Sequence, residues 1–88
     1  MEDRAILKEA KKIFKDILDI VYDIDEEELN QTAVDAENKA KKAKTTQELQ
    51  NLISDLMFVI DELPNQRDFI DQINEIESLK IDIDELFF

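Results

Sequence analysis

The sequence predicts an all-α fold, a small three- or four-helix antiparallel bundle, and three observations carry that expectation. Glycine is absent and proline occurs once in 88 residues. Tight hairpins draw on Gly, Asn or Asp at positive φ, and helices draw on glycine to stop, so so few turn formers argue against a multi-stranded sheet. The helices should then end in 3₁₀ turns, at Asn or Lys, or directly at the next cap. Apolar residues also recur three and four apart over most of the chain, the spacing that keeps one helix face in the core. Finally, capping signals break the pattern into segments of helix length. At this size one domain spanning 1–88 is expected, with one modest core and no deep cleft.

The first helix is expected over residues 3–24, with Asp3 able to cap it. Ile6, Ala10, Ile13, Ile17, Ile20 and Ile24 follow a strict heptad spacing, with Leu7, Phe14, Leu18 and Val21 one residue further round. That face is wide enough for two neighbours. Asp16, Asp19 and Asp23 crowd the last turns, against the helix dipole. The second helix, 25–44, starts at Asp25 as N-cap with Glu26, Glu27 and Glu28 in the favoured first turn. Its stripe of Leu29, Ala33, Ala36, Ala40 and Ala43 is the thinnest apolar face of the four.

The third helix, 46–63, opens on the capping box Thr45-x-x-Glu48. A continuous helix from 25 to 63 is the competing reading, but the step from Ala43 to Leu49 breaks the three–four pattern where the box falls. Leu49, Leu52, Leu56, Val59 and Leu63, widened by Ile53, Met57 and Ile60, leave Leu56 to Ile60 as the longest apolar run. A helix apolar on most sides is expected to be surrounded, which makes this the central helix, ended by Pro64. A fourth helix is expected over 65–79, capped by Asn65. Beyond it Leu79, Ile81 and Ile83 alternate with Lys80, Asp82 and Asp84, a strand-like or extended pattern in a short tail. Helical phase through Ile76, Ile83 and Phe87 is the alternative.

Composition excludes much chemistry. The chain has no cysteine and no histidine, so thiolate nucleophiles, Cys-ligated zinc, imidazole bases and Glu-x-x-His metal motifs are all missing. Asp82-x-Asp84-Glu85 lacks the turn glycine and the bidentate glutamate of a calcium loop. Tyr22 reads as a core-rim residue. No catalysis, cofactor or metal is expected. The N-terminal stretch lacks the basic-then-apolar pattern of a signal peptide and no apolar run is long enough for a membrane span, so a cytoplasmic protein is expected.

The charge is unevenly placed. Residues 1–24 carry a net −1, residues 25–44 a net −2, and residues 45–88 eleven acids against Arg67 and Lys80, a net −9. A field of that sign repels nucleic acid and membrane and draws in basic protein surfaces. The expected partner is therefore a protein with a basic surface, with no direct nucleic-acid contact, since the lysines at 8–15 and 39–44 have no interleaved aromatics. The residues expected to meet it are Asp55, Asp61, Glu62, Asp68, Asp71, Glu75 and Glu77, then Asp82, Asp84, Glu85, Phe87 and Phe88 in the tail.

Asp82-Ile83-Asp84-Glu85-Leu86-Phe87-Phe88 resembles the acidic-then-Phe tails of bacterial single-stranded-DNA-binding proteins, and its Leu-Phe is similar to peptides that dock on sliding clamps, without their leading Gln. The resemblance implies an adaptor presenting its tail. The other reading is that Leu86, Phe87 and Phe88 fold back on the bundle's open end or make a dimer contact. The leading expectation is an inhibitor or immunity-type protein, of phage anti-restriction, anti-CRISPR or nuclease-inhibitor character. The alternative is an oligomerisation module, a homodimer completed through the wide first-helix face.

Overall fold

The computed structural model describes residues 4–86. Four α-helices follow one another: α1 Arg4–Ile24, α2 Glu27–Lys42, α3 Thr46–Asp61 and α4 Ile70–Glu85, with a 3₁₀ turn at Gln66–Phe69 before the last. No strand occurs among the described residues. The molecule extends 41 × 24 × 17 Å. A helix the length of α1 spans roughly 32 Å, so the helices run along the long axis as an antiparallel bundle. The cap expected at Asp3 and the aromatic pair Phe87 and Phe88 lie outside the described residues.

Each helix has one apolar side and the four sides close a single cluster. Ala10, Phe14, Ile17, Val21 and Ile24 of α1 are buried, with Leu18 beside them. The buried seam takes Ala10, Ile17 and Ile24 from the expected stripe and Phe14, Leu18 and Val21 from the residues beside it, while Ile6, Ile13 and Ile20 are left half-buried. The α2 stripe of Leu29, Ala33, Ala36, Ala40 and Ala43 is buried as read, its alanines letting neighbouring axes approach. From α3 come Leu49, Leu52, Ile53, Leu56 and Ile60, and from α4 Ile73, Ile76 and Ile83.

Three expectations are corrected. The third helix is not surrounded: it packs closely on α2 and less on α1 and α4, and it leaves one face in solvent. Accordingly Phe58, in the longest apolar run, is exposed. The fourth helix begins at Ile70 rather than 65, because Asn65 makes no side-chain cap and Asp68 N–H donates to Asn65 O in a 3₁₀ turn (3.0 Å). It also continues to Glu85, so the alternating segment 79–85 is helical: Ile76 and Ile83, seven apart, are buried while Ile81 points to solvent. Helical burial of two isoleucines outweighs the local alternation.

The chain stops its helices without glycine largely as anticipated. Ala43 N–H donates to Ala40 O, Leu63 N–H to Ile60 O and Leu86 N–H to Ile83 O, each a tightened final turn. Gln66 Nε2 adds a bond to Asp61 O at 2.6 Å, satisfying a terminal carbonyl of α3. At the start of α3 Thr45 Oγ1 accepts from Glu48 N–H (3.2 Å), and Glu48 Oε2 accepts from Lys44 N–H (2.9 Å), one residue before the usual return contact.

The α1/α2 corner differs from its reading. Asp25 does not cap α2, whose N-cap position is Glu26; it holds φ 55°, the left-handed conformation usually given to glycine. Its N–H donates to Val21 O (3.4 Å) and its Oδ1 accepts from Asn30 Nδ2 (2.9 Å). Aspartate tolerates this region better than most side chains. Asp25→Gly is therefore expected to stay within about 1 kcal/mol of the parent, offsetting the lost bond with relieved strain, whereas Asp25→Val should lose about 1–3 kcal/mol. Urea unfolding of the two variants separates them; equal stabilities would mean the corner is not left-handed.

Candidate functional site

The site residues expected from the sequence sit on α3, the 3₁₀ turn and α4, and the structure sorts them into distinct groups rather than one patch. On a helix surface, residues three and four apart are neighbours. The neighbours of Phe58 are Ser54, Asp55, Asp61 and Glu62: three carboxylates and a hydroxyl around an aromatic that is 66% exposed. α4 repeats the arrangement. Ile81, 54% exposed, has Glu77, Ser78, Asp84 and Glu85 at the same offsets.

Gln50 Nε2 donates to Asp84 Oδ1, tying the first half of α3 to the end of α4. Asp84 is thus partly engaged inside the fold, while Asp55, Asp61, Glu62, Glu77 and Glu85 are exposed. Asp71, Glu75 and Asp82 form a second stripe at four- and seven-residue spacing, about a quarter turn round α4 from Ile81. Asp68 stands apart in the 3₁₀ turn.

Sequence reasoning assigned the acids but missed Phe58 and Ile81, the two apolar centres. The signal was present in the offsets. Leu56 has Leu52, Ile53, Val59 and Ile60 as helix neighbours, and Phe58, two residues on, has polar ones only.

Charges elsewhere behave as surface charges. The one ion pair among the described residues is Lys39 Nζ with Asp35 Oδ2, 3.0 Å apart and exposed. The hydrogen bond and charge of Asp35 raise the Lys39 pKa, and Asp55 adds to this across the α2/α3 seam. Among the described residues, no cluster of three or more acidic side chains is arranged to hold a metal ion. Among the described residues, no helix is long and apolar enough to cross a membrane.

Tyr22 lies on the other side of the bundle, against the core edge, where its hydroxyl donates to Glu37 Oε2 at 3.1 Å. Partial burial raises its pKa above the ordinary 10.0, and the hydrogen bond and negative charge of Glu37 raise it further. A phenol held protonated by folding contributes stability that is complete below pH 10 and is lost as pH rises through the higher folded value. Tyr22 is the only tyrosine and tryptophan is absent, so tyrosinate absorbance reports it alone. The midpoint should lie above 10 and move down toward it in Glu37→Gln; a midpoint at or below 10 in the parent would contradict the contact.

Fold and site together define a four-helix all-α protein whose α3 and α4 each present an apolar residue ringed by carboxylates. No known protein family, curated protein or solved structure matches the chain.

Proposed function

We propose that this is a small non-catalytic binding protein, of inhibitor or immunity type, that lays its α3 and α4 acidic faces on a basic surface of another protein. A basic patch is the electrostatic footprint of a nucleic-acid-binding surface, so the proposal includes anti-restriction, anti-CRISPR and nuclease-inhibitor roles, exercised in the cytoplasm. The single observation that carries the reading is Phe58, exposed and ringed by Asp55, Asp61 and Glu62. An aromatic anchor at the centre of a polar ring is the usual anatomy of a binding hot spot. Its face accepts Arg or Lys by cation–π attraction while the carboxylates pair with neighbouring cations. The net −9 of residues 45–88 speeds encounter with such a surface.

The test is capture from cell extract with the parent protein and with Phe58→Ala, each eluted by a salt gradient. Basic proteins should be retained by the parent, released by salt and lost from the variant. Capture of only acidic or neutral proteins, binding indifferent to salt, or identical capture by Phe58→Ala would each sink the proposal.

A further inference from the structure

The acidic protein also carries a site of opposite character. Between α1 and α2 a pocket of about 160 Å³ is lined by Lys11, Phe14, Lys15 and Leu18 on one side and Glu37, Ala40 and Lys41 on the other. The pocket lies where the small Ala40 of α2 faces the larger Phe14 and Leu18 of α1. Its floor is apolar and its rim carries three lysines and one carboxylate, Glu37, which already accepts the Tyr22 hydroxyl, so the rim is net positive. Among the described residues none of these lysines is in an ion pair, although the chain has 23 acids against 11 bases.

Size and charge both specify what the pocket would take. A cavity of about 150 Å³ lined by apolar side chains accommodates a benzene molecule, so this one fits a single phenyl ring. Three unpaired cations at the rim fit a ring flanked by carboxylates. The chain displays that object itself: Phe58, 66% exposed, with Asp55, Asp61 and Glu62 as its helix-surface neighbours. Three carboxylates stand round the knob and three lysines round the hole.

We propose that Phe58 of one copy inserts into the α1/α2 pocket of a second copy, its carboxylate ring meeting Lys11, Lys15 and Lys41. The contact joins two different patches, so it is heterologous and builds head-to-tail chains or closed rings rather than stopping at a symmetric pair. Copies of net charge −12 repel at long range. At about 0.15 M salt that repulsion is screened beyond roughly 8 Å while the contact charges still attract. Self-association and capture of a foreign basic protein would compete for Phe58, so the free chain holds its own binding face covered at high concentration.

The two uses of Phe58 are separable, because only self-association needs the pocket. Sedimentation at about 0.15 M salt should show the parent mass rising with concentration. Phe58→Ala removes the knob, Ala40→Leu fills the hole, and each alone should sediment as a monomer over the same range. Mixed, they should form a one-to-one dimer and stop there, since one knob and one hole remain usable. Ala40→Leu should keep any foreign partner that the parent binds, whereas Phe58→Ala loses it. Should Ala40→Leu melt early, the exposed pair Lys15→Glu and Lys41→Glu takes its place and should weaken self-association at least about tenfold. A parent that stays monomeric up to millimolar concentration, association that survives a blocked pocket, or a mixture that does not pair overturns the proposal.

Discussion

Replacing Leu56 with alanine is expected to lower stability by about 2–5 kcal/mol, and replacing Phe58 with alanine to change it by no more than about 0.5 kcal/mol. The residues are two apart in one apolar run, but Leu56 is 0% exposed and Phe58 66% exposed. Truncating Leu56 forfeits its transfer free energy and leaves a void in the core cluster shared by the four helices, which relax only partly to fill it. Truncating Phe58 removes a ring that water already surrounds. In a domain whose total stability is on the order of 5–15 kcal/mol, the first change is severe. It should lower the melting temperature by on the order of 10 °C or more. Thermal melts followed by circular dichroism read both. Comparable losses would mean α3 is surrounded after all, and that Phe58 is not available to a partner.

The second large effect distinguishes helix from extended chain at the end of α4. In a strand, Leu79, Ile81 and Ile83 would share one face, and alanine at 81 or 83 would cost similar amounts. In the helix they do not: Ile83 is 0% exposed and Ile81 54% exposed. Ile83→Ala should therefore lose about 2–5 kcal/mol and Ile81→Ala less than about 0.5 kcal/mol. Denaturant unfolding at constant m-value measures the difference. Equal costs would return this segment to the extended form.

The boundary of α1 at Ile24, the capping box at Thr45 and Glu48, and the alanine seam of α2 were legible because each rests on neighbours within one turn. What was not legible depended on partners far along the chain. The burial of Ile83 comes from the core formed by the preceding helices, and local alternation with Lys80, Asp82 and Asp84 pointed the other way. The solvent-facing side of α3 is likewise a property of the assembly, which the apolar run from Leu56 to Ile60 does not disclose. Asp25 was misread for a subtler reason. An acid before Glu26, Glu27 and Glu28 fits an N-cap, yet in a chain without glycine aspartate is also among the few residues that will take positive φ.

The acids of the interaction surface were visible as composition, but their grouping was not. It took the helical register of 79–85 to place Ile81 among Glu77, Asp84 and Glu85, and the exposure of Phe58 to give the α3 acids a centre. The stripe of Asp71, Glu75 and Asp82 serves as an internal control, equally acidic but without an apolar residue at its middle.

That control makes the decisive measurement possible. Calorimetric titration of the captured basic partner should be run with the parent, with Phe58→Ala, and with Asp71→Asn combined with Glu75→Gln. The proposed function predicts that Phe58→Ala weakens binding about 30-fold or more. The stripe variant should stay within about threefold, since rim charges act mainly on the association rate. Equal losses in the two variants, or a loss confined to the stripe variant, would show that net charge rather than the Phe58 centre makes the binding surface, and would contradict the account.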